Sequence, residues 1–282
     1  MANQASNPKY DARALDRVLF ELSKKWWLLA AVCRLVVFVV SVVVILAGII
    51  PRVAPFITVT LSIAAELSLW QSSRIQDTAE ALLRKLDSYD SFGWPISGVE
   101  MSDLLARIPS RIRSGLSAQG VGEEYFASGE GLGFTRAVEN IQESAWWSKH
   151  LAARSGLLCF LVTCVTVAVS FALLIVSIET IRNFDVLSNI GRVVTSTIAL
   201  IFSFGLFRLT AGHYGFSRKA AQVEKEADLL LRYGYVDSVQ ALKAAHEYQL
   251  ARATAPLIPT WVYNSMRSEL DDLWVRYRRR SR

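Results

Sequence analysis

Apolar positions in this chain are gathered into blocks instead of being spread at helical or strand spacing. The first pair of blocks is Trp26–Ile50 and Val53–Trp70, broken at Pro51-Arg52-Val53-Ala54-Pro55. The second pair is Gly156–Ile178 and Val193–Leu209. A helix rises about 1.5 Å per residue, so ~20 residues cross a hydrocarbon layer of roughly 30 Å. The pattern therefore predicts four transmembrane helices arranged as two hairpins, with the two prolines forcing the first pair to run antiparallel. Four core helices of a soluble bundle are the alternative; such helices are usually shorter and keep a polar face.

Between the blocks the spacing turns amphipathic. Leu15, Val18, Leu19 and Leu22 recur at helical spacing from Tyr10 to Lys25, opposite Asp11, Arg13, Asp16 and Arg17. This helix either lies on the membrane surface or packs on a soluble bundle. Ile75, Ala79, Leu82, Leu83 and Leu86 extend the second crossing as a stripe, followed by a turn at Gly93-Trp94-Pro95 and a short helix over Val99–Ala106 that Pro109 ends or kinks. Six glycines between Gly115 and Gly133 predict a mobile loop; Gly129-x-Gly131-x-Gly133 lacks the strand and the Lys-Ser/Thr of a phosphate loop. Helix resumes at Phe134 through Ala137, Ile141, Ala145 and Leu151. Tyr214–Tyr233 and Val236–Ala255 read as two helices broken at Gly234, Pro256–Pro259 as a rigid extended link, and Thr260 as the cap of a last helix through Leu270, Leu273 and Trp274. The expected fold class is an all-α polytopic membrane protein, divided as residues 1–25 (amphipathic helix), 26–71 (hairpin), 72–154 (helical insert), 155–212 (hairpin) and 213–282 (C-terminal helices).

Composition adds direction. The chain has 282 residues, 52% of them hydrophobic. Of its 31 Lys and Arg, five precede the first block, nine fall in 72–154 and twelve in 213–282. By the positive-inside bias, both termini and the long middle segment are expected in the cytoplasm, and the two turns outside. No small-residue cleavage site follows the first block, so the chain is expected to stay in the membrane uncleaved. Residues 1–8 read as disordered. Cys33, Cys159 and Cys164 all lie in apolar blocks and read as small hydrophobes, not as a disulfide framework or a metal site.

Catalytic chemistry is missing. There is no HExxH, CxxC, P-loop or acid pair at a credible site, and His150, His213 and His246 are scattered; no cofactor is implied and an enzyme is not expected. Arg34 and Glu66 are the charged residues inside the first hairpin, roughly 26 and 22 Å from Pro51 along their helices. They either pair and serve a gate, or separate, with Arg34 snorkelling to phosphates and Glu66 reaching interfacial water; the second is preferred. The basic tail Arg276–Arg282 reads as a membrane-facing anchor, with nucleic acid as its other possible partner.

Three stretches resemble the SMODS-associating four-transmembrane effectors of bacterial conflict systems: Ile75-Gln76-Asp77 with Asp87 to Trp94-Pro95; Asn140 to Leu151, with its paired Trp146-Trp147; and Ala255-Pro256-Leu257-Ile258-Pro259 to Arg267. The chain departs from the family in a shorter aromatic-Asp pattern and in Ser148, where the family has Asp. The resemblance implies an anti-phage membrane effector of the bacterial inner membrane. It would be encoded beside a nucleotidyltransferase whose nucleotide or short oligonucleotide product controls membrane disruption and abortive infection. On that expectation the protein is a homo-oligomer, a tetramer among the options, forming a pore or ion channel. Arg107, Arg111, Arg113, Arg136 and Lys149 are the candidate phosphate contacts. Trp94, Trp147 and Tyr125 are candidate base-stacking residues, with interfacial anchoring or core packing as the plainer role. Arg34, Glu66 and Arg208 are the candidate gate and pore residues. The alternatives are a membrane-anchored scaffold that docks a soluble partner without pore activity and, third, a lipid-acting membrane enzyme.

Overall fold

The computed structural model describes residues 12–47, 52–108, 110, 126–181, 183–233 and 236–281. Among the described residues the regular structure is helical: α1 (Ala12–Ala47), α2 (Ala54–Phe92), α3 (Gly98–Ala106), α4 (Phe134–Thr180), α5 (Phe184–Phe204), α6 (Leu206–Arg232), α7 (Ser238–Ala253) and α8 (Thr260–Ser281). The expectations for residues 1–8, the turn at Pro51, Gly115, Gly120, Gly122 and the break at Gly234 lie outside the described residues.

Side chains set several ends. The Ser97 hydroxyl accepts the Glu100 N–H at 3.2 Å, and Glu100 accepts the Ser97 N–H at 3.1 Å, closing a capping box on α3. The Asn183 side chain accepts the N–H groups of Asp185 and Val186 at the start of α5, so this helix begins nine residues before the expected Val193. Asp237 accepts the Gln240 N–H at 3.0 Å for α7. Gly205, at φ 64°, ends α5 in a left-handed cap from which α6 starts at once. The expected separate helix from Tyr214 is thus the continuation of α6. Thr260 is the first residue of α8 instead of its cap, because Val262 and Tyr263 already donate to the Pro259 carbonyl.

Among the described residues, three helical stretches are long and apolar enough to cross a membrane: Ala12–Ala47, Phe134–Thr180 and Phe184–Arg232. The expected crossing at 53–70 is not among them; Thr58, Thr60, Ser62, Glu66 and Ser68 dilute its apolar run. Only 11% of each spanning window is buried within the protein. Apolar surface on this scale has no place in water, which is the character of a membrane protein.

The chain divides into two compact units. The first comprises residues 1–24, 73–150 and 216–255. Its interior takes Leu15 and Leu19 from α1, and the whole stripe Ile75, Ala79, Leu82, Leu83 and Leu86 from α2. Ala137, Val138, Ile141 and Ala145 of α4 are buried with them. The burial of Leu15 and Leu19 shows that the N-terminal helix packs its apolar face within this unit. Val138, Ala227 and Ala241 form one cluster, where the alanines let α4, α6 and α7 approach closely. Ser148 meets the buried Tyr248 hydroxyl at 2.8 Å, and Tyr248 donates to the Ser144 carbonyl at 3.0 Å.

The second unit comprises residues 25–72, 151–215 and 256–282. It is inverted in character. Leu28, Val32, Val39, Phe56, Ile63, Phe160, Val165, Val169 and Ile175 are exposed, while Ala30, Cys33 and Ala65 are packed inside. Ser155, Thr163, Ser170 and Ser177 recur every seven or eight residues of α4 and are buried. Each donates to the carbonyl four residues earlier, so no hydroxyl depends on water. Small residues allow close contact: a side chain at Gly156 would crowd His213 and Tyr214, and one at Gly212 would meet Pro256 Cγ at 2.8 Å. Val262, Leu270 and Trp274 bury one face of α8. The three cysteines are free thiols.

Candidate functional site

In the first unit, α2 ends at a turn that builds an open cavity. Gly93 adopts φ 72°, a conformation that disfavours a Cβ, and its N–H donates to the Tyr89 carbonyl at 2.9 Å. The turn throws Trp94 back onto Phe92, the rings stacked with centroids 4.6 Å apart, while Phe134 meets Phe92 edge-on. Phe92 thereby backs one face of the indole, and Trp94 is 52% exposed. The cavity beside it is about 440 Å³, lined by Arg84, Lys85, Ser88, Trp94, Glu100 and Gln249 among others. Lys85 forms an ion pair with Glu100. That contact, with the Ser97 hydrogen bonds, holds the Glu100 carboxyl below its ordinary range. An aromatic plane, two cations, an amide and a hydroxyl around one opening suit a planar anionic ligand. Lys85 would exchange Glu100 for such an anion without a large desolvation cost, because the pair is already solvent-exposed.

The same unit holds a buried charge network. Arg252 of α7 donates from Nε to Glu80 at 3.1 Å and from Nη1 to Asp87 at 2.9 Å. Arg13 of α1 donates to Asp87 at 3.3 Å and also pairs with Asp90. Asp87 is therefore held by guanidinium groups from two other helices. Arg252 also lies over the Tyr248 ring, 5.5 Å from its centroid, and Arg13 over Phe126 at 5.8 Å. Burial pushes the Glu80 carboxyl up, with Arg252 opposing it. Burial works against the Arg252 charge, but Asp87, Tyr248 and Glu80 outweigh it and strengthen its hold on the proton.

In the second unit, Arg34 donates to Glu66 at 2.7 Å. The preferred expectation, two charges each seeking its own interface, is corrected: α1 and α2 pack at Ala30, Cys33 and Ala65, which brings the two side chains within reach. The pair is lopsided, the Arg34 side chain being 15% exposed and that of Glu66 72%.

The other sequence-derived candidates are dispersed. Arg107 closes the end of α3 and is exposed. Arg136 is half-buried and donates to the Glu130 carbonyl at 2.9 Å. Lys149 is paired with Glu224, and its carbonyl accepts the Ser217 hydroxyl. Trp147 meets Trp146 edge-on at 5.8 Å. Arg208 is exposed on α6, three residues after the Gly205 break. Arg111, Arg113 and Tyr125 lie outside the described residues. Of the named candidates in the first unit, Trp94 lines the cavity, and its companions Arg84, Lys85 and Gln249 were not singled out.

Sequence reasoning passed over Glu80 and Arg252, named Asp87 only within a family-like stretch, and set Asp16 on the polar side of the first helix, an expectation the structure corrects by burying it. A signal existed. Arg252 continues the stripe Ala241, Ala244, Ala245 and Tyr248 that α7 buries, and Glu80 and Asp87 sit beside Ala79 and Leu83 on α2. A charge placed on a buried stripe asks for a partner.

Comparison with protein-family models, curated proteins and solved structures finds no match to this chain.

Proposed function

We propose that this chain is a homo-oligomeric, ligand-controlled pore or ion channel, acting as a membrane effector of bacterial anti-phage defence. What carries the reading is Glu66. Its carboxylate is mostly uncovered in one protomer, yet it sits amid the exposed Ile63 and Leu67 of an apolar run. A charge facing hydrocarbon costs roughly 3 kcal/mol even on insertion-based scales. Assembly removes that cost, either by covering the face with another copy or by lining a water-filled path with it.

In this reading the N-terminal half of α2 is the fourth crossing, tolerated despite its diluted run because Arg34 answers Glu66. An even number of crossings returns both termini to the cytoplasm of the inner membrane, which the Lys/Arg bias favours. The cavity at Trp94 takes the signal, a nucleotide or short oligonucleotide made by a neighbouring nucleotidyltransferase. The indole stacks a base while Arg84 and Lys85 meet phosphate. The resemblance of the three sequence stretches to the SMODS-associating effectors supports the signalling partner; the cavity chemistry supports the ligand class.

The test is ion and dye efflux from liposomes containing the full chain, challenged with cyclic di- and trinucleotides and short linear oligonucleotides. The expected result is efflux that responds to one of these ligands, lost in Trp94→Ala and altered in ion preference in Glu66→Gln. A protein that inserts and oligomerises but passes no ion under any of them is a scaffold, and the pore reading is then wrong.

A further inference from the structure

Asp16 stands apart in the charge network of the first unit. It lies one turn beyond Arg13 on α1, between the core residues Leu15 and Leu19. The residue is 6% exposed, and its Oδ1 atom has no hydrogen-bond partner. A buried carboxylate without a donor is costly, and a protonated one is far less so.

Its surroundings are charged. The groups acting on it are Arg13 from its own helix, Glu80 and Asp87 from α2, and Arg252 from α7. Asp90 and Arg84 of α2 and the Tyr248 hydroxyl of α7 also belong to that network. Arg13 is occupied by Asp87 and Asp90, and Arg252 by Glu80 and Asp87. Four carboxyl groups thus share the Arg13 and Arg252 guanidinium groups, and Arg84 of α2 also acts on Glu80. Three of the four have a cation in hydrogen-bond contact, and Asp16 is the one left over.

We propose that Asp16 is a proton-binding switch: with a proton it lets α1 dock fully on α2 and α7, and without one it loosens that docking. Burial pushes the Asp16 carboxyl up to about 7; Asp87 and Glu80 add to the rise, and Arg13 and Arg252 oppose it. The unfolded chain releases this proton near the ordinary value of 3.8. Between those two values the folded state holds a proton that the unfolded state has lost. The stabilisation is therefore complete at acid pH and fades as pH rises through neutrality. Because α1 is one unbroken helix from Ala12 to Ala47, whatever frees its first turns acts on the helix that carries the first apolar run. The switch does not depend on the pore reading and survives if the protein proves to be a scaffold.

The experiment uses the full chain in detergent micelles, with pH-difference infrared spectra following the C=O stretch of protonated carboxyl groups. Hydrogen exchange across 12–24, corrected for the intrinsic rate, is measured from about pH 5.5 to about pH 8.5. The expected result is a protonated carboxyl band that titrates near neutrality and disappears in Asp16→Asn. Wild-type α1 should lose protection at least tenfold over this range, and the Asn variant should stay protected throughout. Glu80→Gln, which retains Asp16, should keep a titrating band. A wild-type spectrum with no carboxyl titrating in this range would overturn the proposal, whether or not the variants fold. So would a neutral-range band that persists in Asp16→Asn, or wild-type protection that does not change with pH.

Discussion

Removing Arg252 is the sharpest probe of how the first unit is held together. Its side chain is 13% exposed and serves Glu80 and Asp87, whose side chains are 8% and 15% exposed. Arg252→Leu keeps most of the apolar volume and deletes the charge. Breaking a buried pair by removing one partner costs about 3–5 kcal/mol, since the other charge is stranded. Two things lower the figure here. Asp87 keeps Arg13. Glu80, already pushed up by burial, can escape by taking a proton. A loss of about 3 kcal/mol at neutral pH is therefore expected.

The pH dependence follows with a definite sign. Arg252, ahead of Arg84, opposes the rise of the Glu80 carboxyl, so without it that carboxyl rises further. The folded variant then binds a proton that the unfolded chain lacks above its ordinary value of 4.5. The deficit should shrink as the solution is acidified, to about 1 kcal/mol near pH 5. Urea unfolding of the detergent-solubilised chain, followed by near-ultraviolet circular dichroism at two pH values, measures both quantities. Adding Glu80→Gln should recover at least 1 kcal/mol, because contacting residues are not additive. A neutral-pH loss under 0.5 kcal/mol, or a double variant that costs the sum of its parts, would refute the view that Arg252 neutralises a buried acid.

Ser97→Ala should cost about 1 kcal/mol of folding stability through the lost cap, read by urea unfolding against wild type; the nucleotide binding proposed at the cavity should weaken in the same variant, read by isothermal titration. Gly212→Ala should displace Pro256, which a new Cβ would meet at 2.8 Å, exposing the 256–259 link to limited proteolysis while α6 itself stays helical.

Much of this architecture is visible in the order of the residues. The stripe Ile75 to Leu86 and the run Ala137 to Ala145 carry a helical period strong enough to name their buried faces in advance. Asn183 and Ser97 cap helices that the spacing started later, at Val193 and Val99. The charge network was harder to see because its members come from distant parts of the chain: Arg13 finds Asp87 across 74 residues, and Arg252 finds Glu80 across 172. Each looks alone like a polar residue straying onto an apolar face, and only folding supplies the counter-charge. The same distance hid the cavity. Trp94 stood out by its type, whereas Gln249 joins it from α7 through tertiary packing alone. Arg34 and Glu66 were legible as a pair of heights but not as a contact, since helical rotation, set by Ala30, Cys33 and Ala65, decides whether two side chains at one depth face each other.

The row of hydroxyls along α4 has a mechanical corollary. Ser155, Thr163, Ser170 and Ser177 each spend their proton on their own backbone, so the seam they form with neighbouring helices relies on shape and dispersion instead of directional bonds. A seam of that kind can slip or turn by small increments without any polar group passing through an unsatisfied state. In a membrane protein it amounts to a dry bearing along this part of the helix: firm at rest, yet with no bond from these four hydroxyls to break before the seam can slide.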